Sequence, residues 1–311
     1  MKNWIKASRL RTLPLSVSGI ILGSAYAHYM GFFDWKIFVL AILTTLGFQV
    51  LSNFANDYGD GVKGTDNETR IGPERAIQSG AISVKQMKNG IILTSILTFL
   101  IAVLLIYVSF GKDNFFYSVL FLVLGIASIV AALKYTMGSS AYGYRGLGDI
   151  FVFLFFGLLS VLGSYFLYSK EFDWLLVLPA CAVGLLSTGV LNLNNMRDEI
   201  SDKASNKNTL VVKIGGKKAK IYHFVIVVLA LVSLVVFSMQ IELKTPFQFL
   251  YLIGFVPVLL HLKRIYNYQN PKEYDPELKV LALSTFVISV LLSVGLIVWK
   301  IILMNQTSTF I

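Results

Sequence analysis

The stretch NFANDYGDGVKGTD, residues 53–66, directly follows an apolar run and carries three aspartates, Asp57, Asp60 and Asp66. A second acidic stretch, NLNNMRDEISD at residues 192–202, ends another apolar run and carries Asp198 and Asp202. Carboxylates at membrane depth are costly, so their presence there is by default a functional hypothesis. Together the two stretches predict an integral membrane bundle whose acidic groups gather where apolar segments end.

The composition is that of a membrane protein. Of 311 residues, 56% are hydrophobic and 14% are charged, whereas an ordinary soluble domain is about 25% charged. The single cysteine, Cys181, lies inside an apolar run, which excludes a disulfide framework and a cysteine-based zinc site. The net charge of +10 does not indicate nucleic acid, because the basic residues cluster in alternate loops between apolar segments.

We expect an all-α integral membrane protein with about nine transmembrane helices. A segment needs roughly 20 apolar residues to cross the hydrocarbon core, and must satisfy its own backbone polar groups there. The candidate spans are residues 13–30, 36–55, 90–110, 115–135, 149–169, 174–194, 221–240, 246–262 and 280–303. Most Lys and Arg residues fall in one set of alternate loops, which predicts that the N-terminus and both acidic clusters are cytoplasmic.

The chain is expected to form one domain, residues 1–311, with two long cytoplasmic cap loops at about 56–89 and 195–220. A faint repeat links QVLSNFAND at residues 49–57 with GVLNLNNMRD at 189–198. The two copies are four spans apart, so both helices run in the same direction and their clusters should face each other across a central cavity. Gly19 and Gly23, four residues apart, indicate a helix-packing face in the first span.

The aspartates are spaced for metal binding. Asp57 and Asp60 are three residues apart, Asp198 and Asp202 four apart, and either spacing puts both carboxylates on one face of a helix. Mg²⁺ takes oxygen ligands, commonly carboxylates together with substrate phosphates. Facing pairs could therefore hold Mg²⁺ against a diphosphate, although helix caps and solvated loop charge explain most loop aspartates. Amide side chains accompany the clusters and fit a polar site or helix-end capping: Asn53, Asn56, Asn192, Asn194 and Asn195.

Acids alone would repel a diphosphate, so cations must accompany the metal. Arginine suits bidentate phosphate contacts, and RIGPERAIQSG at residues 70–80 places two arginines around a Gly-Pro turn. The candidates for phosphate contacts are Arg9, Arg11, Lys63, Arg70, Arg75, Arg197 and Lys213. Most of these residues also serve membrane topology.

A glycine-rich stretch, LKYTMGSSAYGYRGLGD at residues 133–149, follows the fourth span. Its last residue, Asp149, could orient an aromatic substrate or take a proton, or could simply cap the fifth helix. Tyr135, Tyr142 and Tyr144 are candidate π-faces for a cation. Aromatic residues this frequent are more commonly packing or interface residues.

These motifs resemble those of the UbiA-type intramembrane prenyltransferases. The resemblance is carried by NDYGD with the later aspartate, RDEISD, and the stretches RIGPERAIQSG, YTMGSSAYGYRGLGDI and SNKNTLVVKIG, and it covers most of the chain from Ser8 to about His223. Within the family it is closest to the branch that prenylates 1,4-dihydroxy-2-naphthoate. One departure concerns the first motif, where many relatives have an aspartate four residues after Asp60; here Gly64 stands there and the next aspartate is Asp66.

The resemblance implies helices around a central cavity, a lateral opening for the prenyl tail, caps from the two long loops, and Mg²⁺ as the cofactor. It implies a polyprenyl diphosphate and 1,4-dihydroxy-2-naphthoate as substrates, membrane lipid as the surroundings, and the bacterial cytoplasmic (inner) membrane as the location. It also implies that Asp57, Asp60, Asp198 and Asp202 hold the metal and diphosphate, with Arg9 or Arg11 and Lys213 as diphosphate cations.

Other classes of function remain open at this stage. A cation-coupled transporter would carry its carboxylates near the bilayer midplane rather than at helix ends. A CDP-alcohol phosphotransferase would show Ala-Arg within its DGxxAR-type aspartate motif, but here Asp60 and Gly61 are followed by Val-Lys-Gly without that pair. A sister prenyltransferase acting on 4-hydroxybenzoate or homogentisate is not separable by sequence pattern.

Overall fold

The protein is seen in a computed structural model that describes residues 1–66, 71–241 and 245–308, with side chains described as far as residue 302. The described residues form helices and connecting turns. The long helices are α2 (Leu13–Met30), α3 (Trp35–Val62), α4 (Val84–Phe110), α5 (Phe115–Lys134), α8 (Val177–Arg197), α11 (Gly216–Gln240), α12 (Leu252–Asn267) and α13 (Tyr274–Ser308). Shorter ones are α1 (Lys2–Ala7), α6 (Gly148–Val152), α7 (Ser164–Ser169), α9 (Glu199–Ala204) and α10 (Leu210–Ile214).

Helices α6 and α7 are joined by a π-helical segment, Phe153–Gly163. Residues 148–169 therefore form one candidate membrane span. Eight helices in the described residues are long and apolar enough to cross a membrane. The ninth expected span, α2, has the predicted bounds but is less apolar, because it includes several serines, Pro14 and His28. It packs between α3, the π-helical segment and α13.

The acidic stretches are more helical than the predicted cap loops. Helix α3 continues to Val62, so Asp57 and Asp60 lie in its last turns rather than in a loop starting near Asn56. Its 28 residues measure roughly 42 Å at about 1.5 Å per residue, longer than a hydrocarbon core of about 30 Å. The last turns of α3 therefore have room to project beyond the hydrocarbon. The second predicted loop contains two short helices, α9 and α10. The Thr209 hydroxyl caps the start of α10.

Close helix contacts depend on small residues. A Cβ on Gly19 or Gly23 would collide with Ser160 or Ser164, which confirms the predicted packing face of α2. Small residues let helix backbones approach where no aqueous hydrophobic effect drives them together. Helix α8 lies at the centre of the bundle, packed against α11, α13 and the π-helical segment, whereas α5 is at the periphery. The acidic end of α8 is thus held on a rigid, central element.

Candidate active site at the acidic end of the bundle

Asp60, in the last turn of α3, has partners on three other segments. Its Oδ2 accepts a hydrogen bond from Arg75 Nη1 at 2.9 Å and lies 3.7 Å from Lys207 Nζ. Its Oδ1 accepts from the Tyr144 hydroxyl at 2.8 Å. The residue is only 1% exposed, and a carboxylate buried to this extent requires such partners.

Asp57 holds the first cap segment against α3. One carboxylate oxygen accepts the backbone N–H of Ala76 at 3.0 Å, and the other accepts that of Ile77 at 3.1 Å. Arg75, the residue before them, donates to the Asn56 carbonyl at 2.7 Å and lies 3.2 Å from Asp66 through Nε. Residues 75–77 are therefore held against the end of α3.

Arg75 is the charge partner of the first acidic cluster. Burial alone would lower its pKa, but the carboxylates of Asp60 and Asp66 raise the pKa of the guanidinium. Its planar fork holds both acids and a carbonyl at once, which a lysine could not do with the same geometry. The sequence-based expectation that Arg75 belongs to the polar site agrees with this position.

In the second cluster, Asp198 is paired with its own neighbour. Arg197 donates to it through Nε at 2.8 Å and Nη2 at 2.7 Å, and donates to Asp275 through Nη1 at 2.5 Å. A further bond runs from Nη2 to the Asn194 side chain at 2.9 Å. Arg197 is 1% exposed, so the guanidinium ties the end of α8 to the start of α13. This contact differs from the phosphate contact predicted for Arg197.

Asp202, on α9, faces the first cluster across Lys207. The Lys207 ammonium lies 3.4 Å from Asp202 Oδ1 and 3.7 Å from Asp60 Oδ2. This confirms the prediction that the two clusters meet. Burial raises the pKa of Asp202 to about 6, with Asp198 and Asp60 adding to the rise and Lys207 opposing it.

Lys207 was not among the cations predicted for the site. Burial lowers the pKa of its ammonium, but Asp60 and Asp202 outweigh that effect and raise it. The available signal is its place in SNKNTLVVKIG, five residues after Asp202, a stretch that carries the family resemblance. A loop lysine is usually solvated, and sequence alone did not reveal that this one is buried.

Tyr144, one of the predicted π-faces, contacts residues from several parts of the site. The Lys63 ammonium lies 3.9 Å from the centre of its ring and also donates to the Thr136 carbonyl at 2.7 Å. Burial lowers the pKa of Lys63 while Asp60 opposes that shift. The Tyr144 hydroxyl also contacts Thr65 at 2.5 Å. The tyrosine thereby links Lys63 to the Asp60 carboxylate.

An apolar cavity of about 340 Å³ lies next to the acidic end. Asn53, Asn56 and Tyr135 line its polar part, and its remaining wall is formed mainly by apolar side chains of α3, α4, α5 and the π-helical segment. Tyr135 packs tightly against the glycine-rich stretch: a Cβ on Gly143 would lie 2.6 Å from the Tyr135 carbonyl oxygen and 3.1 Å from its ring. The cavity therefore has the shape and chemistry for a lipid tail ending in a polar group.

The N-terminal segment, residues 5–11, forms one wall of a second, polar cavity of about 400 Å³. Arg9, Arg11, Asp57 and Arg75 are among its lining residues. Asn53 binds this segment to α3 by donating a hydrogen bond to the Ser8 carbonyl at 2.8 Å. Two of the predicted cations thus lie beside the first acidic cluster, while Asn53 positions the segment that bears them.

Asp149 is not the cap of the fifth span. The helix begins at Gly148 with Leu147 in the capping position, so Asp149 lies within its first turn. It is 7% exposed, its Oδ1 accepts from the Tyr222 hydroxyl at 3.3 Å, and its Oδ2 has no hydrogen-bond partner within the described residues. This oxygen is an unsatisfied buried acceptor, and Asp149 is not among the residues that line the apolar cavity.

Other predicted residues take different positions. Lys213 donates to the Arg145 carbonyl at 2.5 Å and is exposed, so it does not contact the acidic clusters. Asn192 donates to the Ala219 carbonyl within the bundle. Arg70 lies outside the described residues.

The donor set suits Mg²⁺, although no three His, Cys, Asp or Glu side chains in the described part of the chain are grouped closely enough to enclose a metal as they lie. The available donors are carboxylate and amide oxygens, which hard cations prefer. Among the described residues, Asp202 Oδ2 and Asn195 Oδ1 are buried acceptors without a hydrogen-bond partner. Such acceptors are costly unless a ligand satisfies them, so the site fits a hydrated divalent cation.

Fold and site together define a helical membrane protein with an apolar cavity next to a buried cluster of acidic and basic side chains. The model of the UbiA prenyltransferase family matches residues 16–290, and the chain belongs to this family.

Two relatives and two solved structures extend the comparison. The 1,4-dihydroxy-2-naphthoate octaprenyltransferase of Haemophilus influenzae is 41% identical over 96% of both chains. The Escherichia coli K12 protein of that name is 43% identical over 88% of this chain and 86% of its own. The apo UbiA homolog of Aeropyrum pernix K1 superposes with a TM-score of 0.69, covering 93% of this chain and 98% of its own at 16% identity. The UbiA homolog of Archaeoglobus fulgidus bound to DMAPP and Mg²⁺ superposes with a TM-score of 0.58. The match covers 92% of this chain and 99% of its own at 15% identity.

Proposed function

We propose that this protein transfers a polyprenyl chain from a polyprenyl diphosphate to 1,4-dihydroxy-2-naphthoate, releasing diphosphate and CO₂ and giving demethylmenaquinol in menaquinone biosynthesis. The observation that carries the proposal is the match along nearly the whole chain to relatives of that activity. The geometry supports it, because an apolar cavity lies next to a buried acidic and basic cluster. An anionic head group and a prenyl tail need these two environments side by side.

The diphosphate would lie at the acidic end. Asp57, Asp60, Asp66, Asp198 and Asp202 are the proposed Mg²⁺ residues, with Asp60 and Asp202 already facing each other across a cation. When bound, Mg²⁺ would neutralise the charge that develops on the departing diphosphate.

The basic residues of the site would contact phosphate oxygens directly. Arg75 and Lys63 are held close to Asp60 and are the best placed, and Arg9 and Arg11 line the adjoining polar cavity. Charge-assisted bonds of this type are stronger than neutral ones. They would hold the leaving group while the allylic C–O bond lengthens.

The acceptor would lie between the diphosphate and the glycine-rich stretch. The ring carbon that bears the carboxylate bonds to the allylic carbon, and the carboxylate then leaves as CO₂ with its bonding electrons returning to the ring. Tyr135, which lines the cavity together with Asn56, would offer a π-face to the developing allylic cation. Asp149 has the free acceptor atom to orient a naphthol hydroxyl, and the apolar wall keeps water from the cation.

We also propose that the protein is a multi-pass component of the bacterial cytoplasmic membrane with its N-terminus in the cytoplasm. The bias of basic residues toward the acidic end supports this orientation. In this arrangement the polar cavity under the N-terminal segment faces the cytoplasm, from which a soluble aromatic acid arrives.

The test uses purified protein in detergent with Mg²⁺, a radiolabelled polyprenyl diphosphate, and either 1,4-dihydroxy-2-naphthoate or 4-hydroxybenzoate. Prenylated naphthoquinol with CO₂ release supports the proposal. Product with hydroxybenzoate alone would assign the protein to a sister branch of the family. Absence of product with either acceptor, in protein that binds the prenyl diphosphate, would contradict the proposed reaction.

A further inference from the structure

Lys207 has an anchored backbone and a buried side chain whose ammonium lies near two carboxylates. Its own N–H donates to the Asp202 carbonyl at 2.8 Å, and the next residue, Asn208, donates to the Tyr144 carbonyl at 3.1 Å. Thr209 then caps the start of α10. The peptide around Lys207 is therefore attached both to the second acidic cluster and to the glycine-rich stretch.

The ammonium lies between two buried carboxylates at distances greater than a short ionic hydrogen bond. It is 3.4 Å from Asp202 and 3.7 Å from Asp60, whereas a well-formed N⁺–H···O⁻ bond measures about 2.7–2.9 Å. The guanidinium contacts of Arg75 with Asp60, 2.9 Å, and of Arg197 with Asp198, 2.7 Å, are shorter. Lys207 thus acts as a point charge shared by two acids.

Lysine is suited to such a shared and exchangeable contact. Its ammonium is compact and stands on a flexible four-carbon stem, whereas arginine binds through a rigid fork. Two carboxylates that face each other in a water-poor site repel one another unless a cation lies between them. The same position between two carboxylates is the natural position for a divalent cation.

We propose that Lys207 is an internal counter-ion that Mg²⁺ replaces: its ammonium neutralises Asp60 and Asp202 in the metal-free protein and moves to the diphosphate oxygens when the metal binds these carboxylates. The inference rests on the proposed function, since it assumes that a metal and a diphosphate enter this site. Lys207 then makes opposite contributions to two equilibria. It competes with Mg²⁺ alone, and it favours Mg²⁺ together with diphosphate.

The exchange also couples ligand binding to the second cap segment. Because the Lys207 peptide is bonded to Asp202 and Tyr144, movement of its side chain toward the ligand leaves the backbone anchored. The cap segment then stays in place while the Lys207 ammonium exchanges its carboxylate partners for diphosphate oxygens.

The experiment measures binding of Mg²⁺ alone, and of inorganic pyrophosphate at saturating Mg²⁺, by titration calorimetry on the full-length protein in detergent. Lys207→Met keeps the length of the side chain and removes its charge, and Lys207→Arg keeps the charge in a bidentate form. Lys203→Met is the matched control, because Lys203 is an exposed lysine on the same cap segment. Thermal unfolding without metal is recorded for each protein.

The expected pattern has two opposite signs. Lys207→Met should bind Mg²⁺ alone about tenfold more tightly than wild type and pyrophosphate about tenfold more weakly, the range of one charged contact. Lys207→Arg should bind Mg²⁺ alone more weakly than wild type, and this variant carries the test if Lys207→Met does not fold. Lys203→Met should match wild type in both titrations.

Equal or weaker binding of Mg²⁺ alone to Lys207→Met would overturn the counter-ion exchange and reduce Lys207 to a structural or phosphate-binding lysine. If wild type still transfers prenyl chains in that case, the proposed function stands without this inference. If wild type neither binds Mg²⁺ and pyrophosphate nor transfers prenyl chains, both proposals fall.

Discussion

Replacing Asp57 by asparagine should release the first cap segment from α3 even without metal. The carboxylate accepts the N–H groups of Ala76 and Ile77 on separate oxygens. Asparagine has only one acceptor oxygen, so one bond is lost and an amide NH₂ is placed against a backbone N–H. A hydrogen bond to a charged group contributes about 1.5–3 kcal/mol, and the surviving bond loses its ionic assistance.

These effects together amount to about 3 kcal/mol of local stability, which corresponds to roughly a hundredfold change in an equilibrium constant. Hydrogen exchange followed by mass spectrometry should therefore show the Ala76 and Ile77 amides exchanging roughly a hundredfold faster in Asp57→Asn. The comparison is made in metal-free detergent solution. Exchange within the central part of α8 should stay as in wild type, because no contact there depends on Asp57.

Asp202→Asn is the matched control, since it changes a buried carboxylate of the same site that accepts neither amide. It should leave exchange at Ala76 and Ile77 unchanged. If Asp57→Asn also leaves both amides protected, the residue does not anchor the cap, and its importance would have to come from metal binding alone.

Three further predictions concern other contacts. Arg197→Met should lower the free energy of unfolding by about 3–5 kcal/mol, measured by denaturation in detergent, because Asp198 would lose its guanidinium partner; an unchanged midpoint would contradict this. Because the pKa of Asp202 is raised from its usual 3.8 to about 6, the folded state binds its proton more tightly, so this group's contribution to metal-free stability falls as pH rises between those values. Mg²⁺ binding should accordingly strengthen as pH rises through about 6, and an Asp202→Asn protein with the same pH dependence would refute the assignment. Gly143→Ala should reduce turnover about tenfold by displacing Tyr135, with unchanged membrane insertion; wild-type turnover would show that the tyrosine tolerates the shift.

The sequence predicts this fold well where membrane physics leaves few choices. Apolar length and backbone satisfaction were enough to give Leu13–Met30 its observed bounds, and the bias of basic residues between alternate loops was enough to put both acidic clusters at one end. It predicts the limits of the caps less well, because α3 continues through Asp57 and Asp60 to Val62. A polar segment can extend a helix beyond the hydrocarbon, and no periodic apolar signal marks where it stops.

Side-chain partners were the least predictable part. Arg197 is predicted to contact phosphate, and the structure adds partners that the sequence does not indicate, among them Asp275, far along the chain. Lys207 and Lys213 belong to one short basic stretch, yet one is buried between acids and the other is exposed. Such choices depend on tertiary packing and not on local pattern.

The two acidic motifs show a common division of roles that their spacing did not reveal. In each motif the first aspartate binds within its own side of the site: Asp57 accepts the Ala76 and Ile77 N–H groups, and Asp198 accepts from Arg197. In each the second aspartate, Asp60 or Asp202, faces the other motif across Lys207. A carboxylate that already accepts short hydrogen bonds must give them up to bind metal. Asp60 accepts two, from Arg75 at 2.9 Å and from Tyr144 at 2.8 Å, whereas Asp202 Oδ2 has no hydrogen-bond partner among the described residues. Asp202 is therefore the carboxylate at which metal binding should begin, while Asp57 and Asp198 hold the adjoining segments in place.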